Sequence, residues 1–271
     1  MEKKFGCIGC RSGEDFVVPF TMAFQPIVDT AASRIWGYEA LVRGMNGEGA
    51  GQILGQVTDE NRYVFDQACR VKAIALAGAK MPQGSIAKLS INFMPNAVYE
   101  PSACIHASLS AAARFGFDPQ RLMFEFTENE IIGDTAHLEQ IVASYKRMGF
   151  TTALDEFGAG YAGLGLLARF QPNLIKIDME LVRGIALSPA RKAIIRGVVA
   201  IAAELGVTVL AEGVEEEAEM LILRSMGISL MQGYLFAKPK LETFDDESAI
   251  PHLNHVRTSA DGQDRVQTEN R

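Results

Sequence analysis

TTALDEFGAGYAGLGLLARFQPNLIKID, residues 151–178, is the stretch from which the fold prediction starts. A short apolar run ends on two adjacent carboxylates, Asp155 and Glu156, and a loop punctuated by glycines follows. After a short helical piece, a second apolar run carries Lys176 and ends at Asp178. Charged groups at the ends of buried strands are costly to desolvate unless they are paired or bind a metal. The stretch therefore predicts a strand–helix–strand unit that carries a functional site.

The same alternation extends along the chain on both sides of this stretch. The apolar runs predict eight strands, at 21–28, 35–43, 86–91, 122–126, 151–154, 174–177, 207–210 and 228–231. Helical periodicity predicts helices at 61–79, 103–116, 135–148, 191–205 and 215–226, with a glycine-rich loop at 44–55. The first two strands form a predicted antiparallel hairpin, since only a turn-like stretch separates them. Eight strands with helices between them favour a closed (β/α)₈ barrel over a doubly wound open sheet.

Composition argues against several classes of function. A net charge of −7 over 271 residues argues against a protein that binds nucleic acid by neutralising phosphates. No run of 18 apolar residues predicts a membrane span, and the first residues lack the apolar region of a secretory signal. Four cysteines without a paired framework fit a reducing compartment. We therefore expect a cytoplasmic protein with no membrane or nucleic-acid partner.

The two ends of the chain are expected to lie outside the barrel. Cys7 and Cys10 form a C-x-x-C pair, but a zinc site needs a second ligand pair, so we interpret 1–20 as a flexible leader. From residue 242 onward the sequence turns polar, and we expect 242–271 to be a poorly ordered tail. His252 and His255, which lie in this tail, are not assigned to a metal site.

Polar side chains recur where the predicted strands end. They are Asn92, Glu125, Asp155, Glu156, Lys176, Glu212 and Gln232. Because active residues of such barrels come from the carboxyl ends of several strands, we expect this set to converge at one rim. Glu39 and Arg43 lie an even number of residues apart, so they share one face of the second strand.

The converging residues offer oxygen ligands, which suit Mg²⁺ or Mn²⁺ better than zinc. The candidate metal ligands are Glu39, Asn92, Glu125, Asp155 and Glu156. Two ions would relieve the repulsion among these carboxylates and could activate water for attack on a phosphodiester. Lys176 would then be either a base for that water or a cation for the transition state. Any single carboxylate, Glu39 above all, could instead be a surface or salt-bridged residue.

The glycine loop has a second interpretation. Gly158, Gly160 and Gly163 match G-x-G-x-x-G between a strand and a helix, which is the context of a dinucleotide-binding loop. However, Asp155 and Glu156 directly precede the first glycine and would repel a pyrophosphate. A loop that closes over a ligand is the better interpretation.

Several motifs carry a family resemblance that runs from about residue 21 to residue 240. They are FQPIV (24–28), YEALVR (38–43), INFMP (91–95), FEFTENE (124–130), KID (176–178), AEGVE (211–215) and QGYLFAKP (232–239). Their order and spacing resemble those of the EAL domain family of cyclic di-GMP phosphodiesterases. The resemblance implies a stand-alone EAL domain at 21–241, folded as a TIM-type barrel whose first strand is antiparallel.

The resemblance also implies an activity and a role for each matching residue. It implies hydrolysis of cyclic di-GMP to linear pGpG with two Mg²⁺ or Mn²⁺ ions, in a homodimer. By position, Glu39, Asn92, Glu125 and Asp155 match metal ligands, with Glu156 on the second ion. Catalytic roles fall on Lys176, Glu39, Asp155 and Glu212, substrate contacts on Gln25, Arg43 and Gln232, and support of the glycine loop on Glu128.

Two positions depart from the family pattern, of which Glu156 matters more. The family has DDFG after the fifth strand, whereas residues 155–158 read DEFG, and Met94 stands where a serine is common. The extra methylene of Glu156 moves its carboxylate by about 1 Å, a misplacement that can cost roughly 100-fold in rate. The departure keeps a second class of function open, a module that senses cyclic di-GMP or docks on a regulatory protein as an antirepressor.

Overall fold

A computed structural model describes residues 18–98, 100–127, 135–160, 163–250 and 253. The strands are β1 (Phe20–Asp29), β2 (Arg34–Gly44), β3 (Lys88–Asn92), β4 (Leu122–Thr127), β5 (Thr151–Phe157), β6 (Leu174–Ile177), β7 (Thr208–Ala211), β8 (Leu230–Met231) and β9 (Lys240–Leu241). The helices are α1 (Ala50–Leu54), α2 (Arg62–Lys80), α3 (Pro101–Cys104), α4 (His106–Phe115), α5 (Thr135–Arg147), α6 (Gly163–Arg169), α7 (Met179–Val182), α8 (Pro189–Leu205) and α9 (Glu217–Ser225). Within these ranges no helix has both the length and the apolarity needed to cross a membrane.

The strands close into the predicted barrel. β2 to β8 follow one another as parallel neighbours, and β1 joins the two ends by pairing antiparallel with both β2 and β8. The hairpin register sets Gln25 opposite Glu39. The TIM-type barrel with an antiparallel first strand is therefore confirmed.

An apolar layer fills the barrel at the level of the first to third residues of the parallel strands β4 to β8. It consists of six buried side chains, Ile27, Met123, Ala153, Leu174, Leu210 and Leu230, and Trp36 packs against it. Because strand side chains alternate between the two faces, the next inward position on each strand lies one level higher. This apolar layer therefore forms the floor of the barrel, beneath the side chains of the next inward positions.

Helices cover the outer faces of the parallel strands. α2 and α4 pack so closely that a Cβ atom at Gly78 would lie 2.4 Å from the Phe115 carbonyl oxygen. A glycine inside a helix costs about 1 kcal/mol relative to alanine, and this close approach is the packing reason for it. α4 and α8 end at Gly116 and Gly206, both in the left-handed conformation that favours glycine.

The β1–β2 hairpin has no helix between its strands, and the C-terminal segment covers it instead. Phe244 stacks on Phe24 with ring centroids 4.1 Å apart, and the Tyr38 hydroxyl donates to the Asp245 carbonyl. Ile250 is fully buried. The prediction that the poorly ordered tail starts at 242 was wrong for residues 242–250, because the hairpin leaves apolar surface for these residues to cover. Residues 254–271 lie outside the described residues, as do His252, Cys7, Cys10 and the rest of 1–17.

Several element predictions differ from the structure in their bounds, and three of the differences have a clear local cause. The loop predicted at 44–55 contains the short helix α1, and the helix predicted at 103–116 starts at Pro101 and is interrupted at the buried Ile105. Glu100 caps this start by accepting from the Ser102 amide. The strand predicted from Ile86 begins at Lys88, since Ile86 is 73% exposed after the preceding turn. These differences lie in short segments where periodicity is a weak guide.

Candidate active site

A polar layer lies directly above the apolar floor of the barrel. Each polar residue occupies the inward position next above a floor residue, either on the same strand or just beyond the end of that strand. On the antiparallel β1, the upper residue is the earlier one in the chain. The pairs, floor residue first, are Ile27 with Gln25, Met123 with Glu125, Ala153 with Asp155, Leu174 with Lys176, Leu210 with Glu212 and Leu230 with Gln232. The fold thus brings together residues that are up to 207 positions apart in the chain.

Lys176 is the centre of this layer. Its Nζ atom lies 2.8 Å from Glu212 Oε1, 2.9 Å from Glu125 Oε2 and 3.2 Å from Asp155 Oδ1. Glu39 Oε2 is 3.8 Å away. The lysine side chain is fully buried, so these four carboxylates, here called the carboxylate cluster, replace its contact with water.

The carboxylate cluster carries more negative charge than one ammonium can neutralise. Burial raises the pKa of Glu125 to about 8, and the charges of Glu39 and Asp155 add to the effect while Lys176 opposes it. Burial and then Asp155 raise the pKa of Glu212 well above its ordinary value. Burial opposes the charge on Lys176, but the surrounding carboxylates raise its pKa overall. The site is therefore short of positive charge.

Three members of this cluster fit a divalent cation. Glu39, Glu125 and Asp155, the acidic triad, each offer a carboxylate oxygen, and these oxygens all lie within 4.8 Å of one another. All three residues are buried. Among the described atoms, Glu125 Oε1 lacks a hydrogen bond of good geometry, although the buried Ser90 hydroxyl favours its ionised form. Clustered oxygen donors with an excess of negative charge are what Mg²⁺ or Mn²⁺ requires.

Amide side chains hold the acidic triad from the side of β1 and β8. Gln232 Nε2 donates to Glu39 Oε2 at 2.6 Å and to Gln25 Oε1 at 3.0 Å. Gln25 in turn donates to the Ala237 carbonyl at 3.0 Å. On the other side, Asn92 Nδ2 donates to Glu39 Oε1 at 3.1 Å. Both oxygens of Glu39 are thus oriented by amide donors.

Glu156 stands apart from the acidic triad. Its backbone is in the left-handed region, with φ of 53°, and its amide donates to Asp155 Oδ1 at 2.8 Å. A glutamate seldom adopts this conformation, which aspartate and asparagine tolerate better. Glu156 lines the cavities on both sides of the cluster. The structure therefore places it at the predicted rim without bringing it into the triad.

Two cavities flank the carboxylate cluster. One, of about 380 Å³, is mostly apolar and extends from the triad beneath α1 to Phe65 on α2. The other, of about 310 Å³, is more polar and extends toward the loops after β6, β7 and β8. Residues common to both are Glu39, Leu41, Asp155 and Glu156. Together the cavities form one groove across the acidic residues.

Most of the predicted site residues line this groove, and Glu125 and Lys176 lie buried directly behind its wall. Two other predicted residues do not meet there. Arg43, predicted to contact substrate, donates instead to the Val42 carbonyl at 2.7 Å, and in the described chain it is not part of either cavity wall. Arg43 comes two residues after Leu41 on β2, at the edge of the rim. Glu128, predicted to support the glycine loop, lies outside the described residues.

Sequence reasoning gave no role to several residues that line the groove, among them Leu41, Asp178 and Tyr234. Leu41 lies between Glu39 and Arg43 on the same face of β2, so the period of two already places it there. Asp178 ends the KID motif, lines the second cavity and caps α7 by accepting from the Glu180 amide at 2.7 Å. Tyr234, just after Gln232, lines the same cavity, and no local pattern in the sequence indicates this.

The EAL domain family model matches residues 19–239. The chain belongs to the EAL domain family. This match covers the whole barrel and the carboxylate cluster, which confirms the resemblance drawn from the motifs.

Curated relatives of this EAL chain include an enzyme and a regulator. The chain is 36% identical over 219 residues to the blue light- and temperature-regulated antirepressor BluF of Escherichia coli, and the match covers 81% of this chain and 54% of BluF. It is 35% identical over 160 residues to the cyclic di-GMP phosphodiesterase RocR of Pseudomonas aeruginosa, covering 59% of this chain and 40% of RocR. The chain thus spans about half, or less, of the length of these relatives.

Solved structures of EAL proteins share its fold. A standalone versatile EAL protein from Vibrio cholerae, in a c-di-GMP-bound form, is 50% identical with a TM-score of 0.81, covering 86% of this chain and 97% of that one. BlrP1 of Klebsiella pneumoniae, in a manganese and cyclic di-GMP complex, is 37% identical with a TM-score of 0.78, covering 87% of this chain and 58% of BlrP1. EAL proteins of known structure therefore bind this cyclic dinucleotide, one of them together with manganese.

Proposed function

We propose that this chain is a metal-dependent phosphodiesterase that hydrolyses cyclic di-GMP to linear pGpG. The observation that carries the proposal is the buried acidic triad, which lies beside Lys176 at the centre of a groove. RocR, named as a cyclic di-GMP phosphodiesterase, and BlrP1, solved with manganese and cyclic di-GMP, support the substrate and the type of ion.

The groove suits a ligand with two bases and a central phosphodiester. The two cavities diverge from the acidic residues, so a base can enter each while the scissile phosphate lies between them. Leu41 lies at the junction and offers an apolar contact there. A cyclic dinucleotide that is bound in an extended form has this arrangement of groups.

In the reaction, water adds to the phosphorus atom, the bond from phosphorus to the 3′ oxygen breaks, and that oxygen takes a proton. Glu39, Asn92, Glu125 and Asp155, with Glu156 for the second ion, would hold Mg²⁺ or Mn²⁺. Bound ions of this kind lower the pKa of water and neutralise phosphate oxygens. Gln232 and Asn92 orient the two oxygens of Glu39.

Lys176 takes the role of a cation in this proposal. The surrounding carboxylates raise its pKa, so it holds a proton at Nζ near neutral pH. Its ammonium lies 3.2 Å from Asp155 and 2.8 Å from Glu212, directly behind the walls of the groove. A fixed charge at this place stabilises negative charge as it develops in the transition state.

The test is chromatography of purified protein incubated with cyclic di-GMP and Mg²⁺ or Mn²⁺. We expect pGpG to accumulate only when a metal is present, and EDTA to stop its formation. If the protein binds cyclic di-GMP but forms no pGpG with either metal, the enzymatic proposal fails.

A second candidate function is a cyclic di-GMP sensor that acts on a regulatory protein partner. BluF, an antirepressor and 36% identical, favours it, as does the strained Glu156 at a position where the family has aspartate. Binding of cyclic di-GMP without turnover would identify this function. The predicted homodimer and cytoplasmic location stay predictions, and gel filtration with light scattering would test the homodimer.

A further inference from the structure

A buried ion pair on α2 lies outside the carboxylate cluster. Asp66 and Arg70 are four residues apart on the helix, and Arg70 NH2 lies 2.6 Å from Asp66 Oδ2. Both side chains are at most 1% exposed. Burying two charges is expensive, and the pair repays this cost only when both groups make further good contacts. Their other contacts therefore indicate what the pair does.

Arg70 is held in place by three other elements. Its NH1 atom donates to the Tyr145 hydroxyl on α5 at 3.0 Å. The guanidinium carbon lies 5.4 Å from the ring centroid of Phe93, just after β3, and 5.4 Å from that of Phe124 on β4. Cation–π contacts of this kind are strongest in buried sites. The position of Arg70, and of the Asp66 carboxylate paired to it, is thus fixed from several directions.

The second carboxylate oxygen of Asp66 accepts a hydrogen bond from the backbone just after β3, next to the candidate site. Asp66 Oδ1 accepts from the Met94 amide at 2.9 Å. Met94 comes two residues after Asn92, whose side chain donates to Glu39 Oε1 at 3.1 Å. Between them, Phe93 packs outward on Arg70, so the alternation of β3 turns Asn92 inward. One hydrogen bond therefore links the buried ion pair to the turn that presents Asn92.

We propose that Asp66 is a positioning residue for metal binding, which it supports by anchoring the Met94 amide so that Asn92 stays against Glu39. The inference rests on the proposed function, because it assumes that Glu39 and Asn92 hold a metal ion. Partners that orient metal ligands typically contribute 10–100-fold to metal affinity or activity. Asp66 lies in the wall of the first cavity, but its carboxylate is paired with Arg70 and the Met94 amide and contacts no member of the acidic triad, so it acts on the metal site through the turn.

Two double variants separate this role from the stability of the ion pair. D66N/R70Q removes both charges but keeps an oxygen that accepts from the Met94 amide. D66L/R70M also removes both charges, and it removes the acceptor as well. Replacing a buried pair by residues of similar volume is often tolerated, whereas removing one partner leaves an uncompensated charge. The two variants differ in the acceptor for the Met94 amide and in whether residue 70 can still donate to the Tyr145 hydroxyl. M94P, which leaves the ion pair and the Tyr145 bond intact, is therefore measured beside them.

The first measurement is calorimetric titration with Mn²⁺ alone. We expect D66L/R70M to bind Mn²⁺ at least about tenfold more weakly than D66N/R70Q. Urea unfolding of the same samples shows whether both remain folded. If the two variants bind Mn²⁺ within about twofold of each other, Asp66 has only a structural role and the proposal is overturned. M94P, which deletes the amide donor and leaves the pair intact, tests the same bond should D66L/R70M not fold.

The second measurement needs no metal. Hydrogen exchange of residues 91–98, followed by mass spectrometry, is expected to be faster in D66L/R70M than in D66N/R70Q. Equal exchange in the two variants would show that the bond does not anchor the turn, and would overturn the inference. If the parent protein binds no Mn²⁺, the proposed function fails, while this comparison still decides whether Asp66 fixes the position of the turn.

Discussion

Lys176 and the carboxylates around it are the residues on which the proposed chemistry depends. A single ammonium faces Glu39, Glu125, Asp155 and Glu212 in a buried layer. Such a group is stable only if its charges are compensated or removed by protonation. One ammonium is too little positive charge for four carboxylates, and the raised pKa values of Glu125 and Glu212 reflect this. This excess of carboxylates over ammonium groups is the main reason to interpret the polar layer as a metal site.

Replacement of Lys176 by alanine is expected to abolish hydrolysis while keeping ligand binding. In the described chain Lys176 lies behind both cavity walls, so its loss removes no direct contact with the ligand. Loss of a fixed charge at the reacting centre costs about 10²–10³ in kcat. Calorimetry with cyclic di-GMP and a pGpG assay would measure the two effects separately. A variant that keeps more than half of the parent's kcat would exclude Lys176 from the reaction.

Glu156→Asp is expected to raise kcat with Mg²⁺. The change shortens the side chain by one methylene and suits the left-handed backbone, where φ is 53°. Because Mg²⁺ requires near-ideal geometry, correcting a displacement of about 1 Å can be worth up to roughly 100-fold. The measurement is the initial rate of pGpG formation, with Glu215→Asp on the rim as the matched control. An unchanged or lower rate for Glu156→Asp would contradict this account of the second metal position.

At the scale of the elements, the β1–β2 hairpin explains the role of the C-terminal segment. The parallel strands are covered by helices, but a four-residue turn joins β1 to β2 and leaves no chain for a helix there. Residues 242–250 take that place, and the Ile35 amide donates to Glu247 at 3.4 Å near the foot of β2. Since β2 carries Glu39, the covering segment also supports a strand of the site.

Ile250→Ala is expected to lower the free energy of unfolding by about 2–5 kcal/mol, the range for deleting a buried large aliphatic side chain. Ile250 is fully buried although it lies beyond residue 239, where the family match ends. Urea unfolding gives the value, with Leu187→Ala, at a residue that is 92% exposed, as the control. Equal stability of the two variants would mean that the segment does not pack against the hairpin.

At the scale of the whole molecule, the excess of buried negative charge links stability to metal and pH. The folded pKa of Glu125 is about 8, above its ordinary value of 4.5, because burial disfavours the ionised form. A carboxyl whose pKa is raised in the folded state binds more protons when folded than when unfolded. Its contribution to stability is therefore full below the unfolded pKa and is lost as the pH rises through the folded one.

Without metal, the protein is expected to lose stability as the pH rises from about 5 to about 8. Glu125→Gln removes the titrating group and should flatten this dependence. Urea unfolding in EDTA across this pH range measures both proteins. If the two profiles are parallel, Glu125 does not titrate as described.

With Mn²⁺, the opposite trend is expected, because metal ligands must be deprotonated and binding strengthens as the pH rises. An ion present at 100 times its Kd adds about 2.7 kcal/mol to the stability. Thermal unfolding at pH 7.5, with and without Mn²⁺, measures this gain. Glu39→Gln is the matched variant and should show a smaller increase in Tm. No increase in the parent protein would contradict the metal site.

The sequence by itself determined the barrel and the set of residues at its rim. Strand and helix periods are local, and Glu125, Asp155, Lys176, Glu212 and Gln232 each follow an apolar inward residue by two positions, so both could be predicted from short stretches. It left open whether Lys176 is a base or a cation. It also placed Glu156 in the metal site beside Asp155, because no local period records the left-handed backbone at Glu156, where φ is 53° and the strand alternation is broken.

Only the tertiary structure decided which of these groups meet. The acidic triad forms because barrel closure brings β2, β4 and β5 to one level, and no local period encodes that distance. Likewise, the covering role of residues 242–250 follows from a surface that the β1–β2 hairpin leaves bare, and Asp66 reaches Met94 only through the packing of α2 on β3. These contacts join residues that are far apart in the chain. Local sequence periods carry no information about the distance between such residues in space, so only long-range packing sets it.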